Sequence, residues 1–95
     1  MSKENLKHLT VKIYGRVQGI NFRSSAREEA ENLNIKGFVR NERDDSVLIE
    51  AEGTKENLEE LLAWCKKGPL RAEVERVEIE EKDIVGYKNF EIQYS

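Results

Sequence analysis

The sequence predicts an α+β fold in which two helices cover one face of a mainly antiparallel sheet. Apolar residues alternate along several segments, as half-buried strands require, and take helical spacing in two others. The order of these segments is β-α-β-β-α-β with a short extra strand at the end, which is typical of the split βαβ arrangement. Because no linker or repeat interrupts the order, we expect the 95 residues to form a single domain, with residues 1–7 as a flexible N-terminal extension.

The first strand, a glycine-containing loop and the first helix follow one another directly. Residues 8–14 alternate between polar and apolar side chains, which predicts a half-buried strand with His8 on its polar, surface side. Residues 15–21 contain two glycines and are called the glycine loop below. From 22 to 33 the apolar residues lie on one helical stripe, and Asn21 is the expected N-cap of this helix.

A hairpin and a second helix come next. Residues 35–41 and 46–52 alternate in the same way and are separated by a short polar turn, so they predict two paired strands. Gly53-Thr54 is expected to open the second helix and Gly68-Pro69 to end it, since glycine favours the C-terminal cap and proline cannot continue a helix.

The last part of the chain predicts two more strands. Along residues 72–83 the apolar positions change parity, which leaves two interpretations: a bulge near Glu75, or a start of this segment that belongs to a loop. A loop over 83–89 then leads to a short alternating strand over 90–94.

The predicted topology brings two distant segments together. In the split βαβ arrangement the first two strands both pair with the third, so they run parallel and their C-terminal ends lie at one edge. The glycine loop leaves the end of the first strand, and Asn41 stands at the end of the second. Loops at such an edge, beside a helix N-terminus, are favoured ligand positions. We therefore expect Arg23, in the first turn of the helix, and Asn41 to face one pocket.

The glycine loop has the properties of an anion-binding loop. Gly15 and Gly19 tolerate positive φ, so that successive N–H groups can turn to one side as a nest, next to the positive end of a helix. Arg23 can bind two oxygens of a phosphate or carboxylate in a fork, and residues 12–27 contain four basic and no acidic residues. The loop lacks the Gly-Lys-Ser/Thr ending of a Walker A motif. On this motif alone, a tight strand-to-helix connection without a ligand remains an equal alternative.

Composition excludes several classes of function. The net charge of −3 argues against a general nucleic-acid binder. One cysteine, Cys65 on the apolar stripe of the second helix, permits no intrachain disulfide, and one histidine argues against most zinc sites and against Ser-His or Cys-His nucleophile systems. No stretch approaches the roughly 18 apolar residues of a membrane span, and the N-terminus lacks the apolar core of a signal peptide, so a cytoplasmic protein is expected.

Two motifs resemble the signatures of a known family. YGRVQGINFR, at residues 14–23, resembles the acylphosphatase signature G-x-V-x-G-V-x-F-R. KGFVRN, at 36–41, resembles the second signature of that family, G-[FYW]-V-x-N. The resemblance continues with EG at 52–53, GP at 68–69 and F-x-I at 90–92, so it spans almost the whole chain in order and spacing.

The resemblance implies a ferredoxin-like α/β sandwich that hydrolyses acyl phosphates to a carboxylate and inorganic phosphate. It implies that Arg23 binds the phosphoryl group and that Asn41 orients the attacking water, with the loop geometry set by Gly15 and Gly19. The backbone N–H groups implied to bind phosphate are those of Val17, Gln18, Gly19, Ile20 and Asn21. The family needs no metal or cofactor, and a monomer is expected. The implied partners are a small acyl phosphate and inorganic phosphate as product and competitive inhibitor, with neither a nucleic acid nor a membrane.

Departures from the family pattern are few. Ile20 replaces the usual valine, Ala26 stands where many members have a hydroxyl residue, and Asp45 replaces a glycine in the hairpin turn, which should cost turn stability.

Two other functions remain open. One alternative is a non-catalytic module that binds phosphate or carbamoyl phosphate. The other is an RNA-binding domain of similar fold, which would need exposed aromatic residues on its central strands.

Overall fold

The computed structural model describes residues 5–94, which form five strands and two helices in the predicted order. The elements are β1 (Leu6–Arg16), α1 (Phe22–Asn32), β2 (Lys36–Asn41), β3 (Val47–Thr54), α2 (Lys55–Lys67), β4 (Glu73–Lys82) and β5 (Phe90–Gln93). Strand β1 begins at Leu6, two residues before the predicted start. The first four residues of the expected N-terminal extension lie outside the described part of the chain.

The strands form one sheet in the order β4-β1-β3-β2-β5. Strand β3 is antiparallel to both β1 and β2, and β4 is antiparallel to β1. Strand β5 is parallel to β2, so that β1, β2 and β5 all end at the same edge of the sheet. Helix α1 packs over β2 and β5, and α2 packs over β1, β3 and β4, which confirms the predicted two-helix α+β fold.

The core lies between the helices and one face of the sheet. The strands contribute β-branched residues to it, among them Val11, Val39 and Ile49, which are fully buried. Helix α1 presents two alanines to the sheet, and α2 presents leucines together with the free Cys65. Burial raises the pKa of the Cys65 thiol to about 12, so this residue is a core side chain and not a nucleophile.

A bulge in β4 shapes the end of β1. Tyr14 pairs with Arg76 and Gly15 pairs with Val74, so Glu75 is the extra residue, which confirms the first of the two predicted interpretations. Gly15 has a φ of 131°, and a Cβ on it would overlap the backbone carbonyl of Glu73. Only glycine therefore allows the two strands to approach this closely where the glycine loop begins.

Residues 83–89, the crossing loop, connect the two outer strands across the sheet face that the helices leave open. The Glu52 carboxylate accepts hydrogen bonds from the N–H groups of residues 85–87, at 2.5, 3.0 and 3.1 Å. The His8 ring contacts the backbone oxygen of Asp83 through Nδ1 (2.8 Å) and the Glu50 carboxylate through Nε2 (2.6 Å). The expected surface position of His8 is therefore wrong: this residue is only 4% exposed, because the crossing loop covers it.

The helix caps differ from each other. Thr54 accepts a hydrogen bond from the Asn57 N–H (3.2 Å) and so caps α2, which begins at Lys55. Asn21 stands at the predicted N-cap position of α1, but its side chain makes no capping hydrogen bond. The reason is its backbone, since a capping residue is normally extended and Asn21 is left-handed with a φ of 63°.

We predict that Gly15→Ala lowers the free energy of unfolding by about 3 kcal/mol, because its Cβ meets backbone that must move. The matched control is Gly86→Ala, where φ is also positive (91°) but nothing lies within 4 Å of the added Cβ. That variant should lose only about 1 kcal/mol, from backbone strain. Urea unfolding of both variants measures the difference, and equal losses would show that close strand approach is not the reason for Gly15.

Candidate active site

The edge where β1, β2 and β5 end contains a cavity of about 300 Å³. Arg23 and Asn41 both line it, as the predicted topology required. The other lining residues are Val17, Gly19, Asn21, Phe22, Ser24, Ile92 and Tyr94. The cavity therefore brings together the glycine loop, the first turn of α1 and the ends of two parallel strands.

The glycine loop has the backbone geometry of an anion nest. Gly19 and Asn21 have positive φ (77° and 63°), whereas the residues on either side of Gly19 do not. Such alternation turns successive N–H groups toward one side of the chain. Within the described residues, the N–H groups of residues 17–21 form no backbone–backbone hydrogen bond. Three of these residues, Val17, Gly19 and Asn21, line the cavity beside the positive end of α1, where N–H groups without a backbone partner can bind an anion.

Three side chains of the glycine loop fix it to the rest of the molecule. Val17 is fully buried in the core and Ile20 packs against the core, so both hold the loop by apolar contact. The Gln18 side chain points away from the cavity and donates to two carbonyl groups of the β2–β3 turn. Gln18, Ile20 and Gly15 therefore support the cavity without lining it.

Arg23 is held at the cavity by the end of the chain. Its Nη1 donates to the backbone oxygen of Gln93 (3.3 Å), and its guanidinium carbon lies 4.6 Å from the centre of the Tyr94 ring. This contact is a cation–π interaction, which fixes the plane of the guanidinium without neutralising its charge. No carboxylate among residues 5–94 forms an ion pair with Arg23. Its charge is available to an anion.

Asn41 is the last residue of β2 and lies opposite Val47 of β3. The next residue, Glu42, is acidic, but its carboxylate accepts a hydrogen bond from Arg40 Nε at 2.7 Å. This ion pair offsets the negative charge that would otherwise lie next to a bound anion. Asn41 itself is uncharged and offers one carbonyl acceptor and two N–H donors.

Two other basic residues near the glycine loop form ion pairs. Lys12 lies 3.0 Å from Asp44, and Arg27 lies 4.0 Å from Glu31. Hydrogen bonds from Ser46 and Lys12 lower the pKa of Asp44 to about 2. Asp44 is therefore ionised at neutral pH and stabilises the hairpin turn that follows Asn41.

The sequence pattern did not predict that residues 92–94 lie at the cavity. Ile92 and Tyr94 line the cavity, and Gln93 accepts from Arg23. The alternation of residues 90–94 predicted a strand but not its parallel pairing with β2, which brings its end to the cavity. Ser24, in the first turn of α1, also lines the cavity.

The described residues contain neither a metal-binding group nor a helix that could span a membrane. No three His, Cys, Asp or Glu side chains within 5–94 are grouped so that they could hold a metal ion. Neither of the helices described has the length and apolar character needed to cross a bilayer.

Comparison with known proteins agrees with this geometry. The acylphosphatase family profile matches residues 9–92. An acylphosphatase of Thiobacillus denitrificans is 49% identical over 78 residues, which are 82% of this chain and 88% of that protein. An acylphosphatase of Rubrobacter xylanophilus is 43% identical over 93 residues, covering 97% of this chain and 84% of the relative.

The fold of this chain also matches that of a solved acylphosphatase structure. The structure of an acylphosphatase from Coxiella burnetii superposes with a TM-score of 0.92 at 33% identity, covering 98% of this chain and all of the other. The residues that the family profile matches include Arg23, Asn41 and Ile92, which line the cavity. The chain belongs to the acylphosphatase family, whose reaction is the hydrolysis of acyl phosphates.

Proposed function

We propose that this protein hydrolyses acyl phosphates in the cavity at the ends of β1, β2 and β5. The observation that supports this most strongly is the joint position of Arg23 and Asn41, which line one cavity next to the free N–H groups of residues 17–21. In the proposal, the glycine loop and Arg23 bind the phosphoryl group and Asn41 holds the attacking water.

Charge explains how the loop and Arg23 would accelerate the reaction. The transferred phosphoryl group carries negative charge on its non-bridging oxygens throughout. Fixed N–H groups, the positive end of α1 and one guanidinium already point to where that charge lies, so little reorganisation is needed as the transition state forms. The carboxylate of an acyl phosphate is a good leaving group, so positioning and charge stabilisation suffice without a strong nucleophile.

The route of the proton follows from the residues around the cavity. None of its lining residues is a carboxylate or an imidazole, and an amide such as Asn41 does not act as a base. Asn41 instead accepts a hydrogen bond from the water and holds it in line with the bond that breaks. The water oxygen bonds to phosphorus, the phosphorus–acyl oxygen bond breaks, and its electron pair leaves on the carboxylate. The proton of the water passes to a phosphoryl oxygen.

The proposal also specifies the ligands of the protein and its state in the cell. The substrate is a small acyl phosphate, and inorganic phosphate is both product and competitive inhibitor because it fits the same N–H groups. The protein needs no metal or cofactor and works as a cytoplasmic monomer of a single domain. The alternative, a non-catalytic phosphate- or carbamoyl-phosphate-binding module, is not favoured, because the match to an enzyme called acylphosphatase covers 88% of that enzyme.

We predict that Arg23→Ala lowers kcat/KM for benzoyl phosphate by about 10³-fold, because the transition state loses its one side-chain cation. The control is Arg27→Ala, one turn later on the exposed side of α1, which should stay within about two-fold of the wild type. Steady-state hydrolysis measures both. Similar losses in the two variants would indicate general electrostatics and not a specific contact.

Asn41→Ala should lower kcat by about 10²-fold, because the water is no longer held in line. The inhibition constant of inorganic phosphate should change less than about three-fold, since the groups that bind phosphate remain. Asn32→Ala, at the exposed end of α1, serves as the amide control. Near wild-type turnover in Asn41→Ala would remove this residue from the mechanism.

Hydrolysis of benzoyl phosphate should persist unchanged after extensive treatment with EDTA, and added phosphate should raise the apparent KM without lowering the maximal rate. Tight binding of phosphate without any turnover would instead support the binding-module alternative. Loss of turnover on chelation, restored by a divalent cation, would contradict a metal-independent mechanism.

A further inference from the structure

The Gln18 side chain links the two halves of the candidate site. Its Nε2 donates to the backbone oxygens of Glu42 (2.9 Å) and Ser46 (2.8 Å), 24 and 28 positions along the chain. Both acceptors are carbonyl groups, which can only accept, so the side-chain NH₂ must face them and both of its hydrogens are used. The geometry therefore fixes the orientation of the amide as well as its partners.

These two carbonyl groups lie immediately next to Asn41 and its strand partner. Glu42 follows Asn41 in sequence, and Ser46 precedes Val47, the residue that pairs with Asn41. The Ser46 oxygen also accepts the Glu42 N–H at 2.9 Å, which closes the turn. Gln18 thus holds the turn on both of its sides, at the point where β2 ends.

This link is significant because the two halves belong to different parts of the sheet. The free N–H groups lie in the glycine loop after β1, whereas Asn41 lies at the end of β2, with β3 between them. In-line attack requires the water to be placed to within a fraction of an ångström of its position relative to the phosphorus. Among the hydrogen bonds between described residues, those of Gln18 join the glycine loop directly to the turn that follows Asn41.

We propose that the Gln18 side chain is a positioning residue that sets the distance between the phosphate-binding N–H groups and Asn41. The inference rests on the proposed function, since it assigns Gln18 no contact with the substrate and lets it act through Asn41. It differs from a structural role in one consequence: the loss of the link should affect the step that uses the water more than the binding of phosphate.

The test uses Gln18→Met, which keeps the length of the side chain and removes both donors. We expect kcat for benzoyl phosphate to fall about ten-fold and the inhibition constant of inorganic phosphate to change less than about two-fold. Gln18→Ala, which leaves room for water to bond the two carbonyl groups, should show the same division and serves if the methionine variant does not fold. A kcat within two-fold of the wild type in a folded variant would overturn the proposal.

A double-mutant cycle identifies the residue through which Gln18 acts. In the background of Asn41→Ala, Gln18→Met should have almost no further effect on kcat, because the positioned group is already absent. Effects that multiply would show that Gln18 does not act through Asn41. If the wild type hydrolyses benzoyl phosphate and Asn41→Ala does not, the proposed function stands whatever Gln18→Met shows.

The matched control is Thr54→Val, at the opposite end of β3. Like Gln18, Thr54 makes a side-chain hydrogen bond to the backbone, here to the Asn57 N–H at 3.2 Å. Its loss should lower the urea midpoint and leave kcat unchanged, because this end of the sheet is remote from the cavity. A comparable fall in kcat in Thr54→Val would mean that lost stability alone explains the Gln18 result.

Discussion

The antiparallel pairing of β3 with both β1 and β2 is the constraint on which the site depends. Val47 lies opposite Ile13 on one side and opposite Asn41 on the other, so the end of β2 is level with Ile13, close to the glycine loop that follows β1. The buried faces of the three strands enforce this register, because a shift of one residue would turn every core side chain toward solvent. Hydrophobic packing thus decides that Asn41, and not a neighbour, stands beside the glycine loop.

The cavity is lined by polar and charged groups that elsewhere in a protein would have hydrogen-bond or ion-pair partners. Free N–H groups, left-handed backbone at Asn21 and an arginine without an acidic partner among the described residues all lie at this edge. The surroundings compensate: Val17 is buried in the core, the chain end orients Arg23, and Gln18 bonds the loop to the turn beyond β2. Such local strain persists only where neighbouring structure determines it, which is typical of functional sites.

The opposite end of the sheet shows the other use of buried polar groups. There the Glu52 carboxylate meets three backbone N–H groups of the crossing loop, and His8 bonds the same loop. The side chains of His8 and Glu52 are thus hydrogen-bonded to the crossing loop. At the cavity, by contrast, the N–H groups of residues 17–21 have no backbone partner among the described residues. The contrast separates a structural cluster, which holds a long connection against the sheet, from a site prepared for a ligand.

The sequence alone determined the element order, the fold class and the convergence of Arg23 with Asn41, because these follow from the periodicity of each segment and the order of the segments. It narrowed the irregularity of β4 to two interpretations, and the structure chose the bulge at Glu75. It also carried the family signatures, and the comparisons confirmed the family. Only the tertiary structure decided that His8 is buried, that the Asn21 side chain makes no capping hydrogen bond, and that the chain end and Gln18 complete the surroundings of the cavity. Each of these depends on contacts between segments far apart in sequence, and a local pattern contains no information about which distant segment will cover or bond a given side chain.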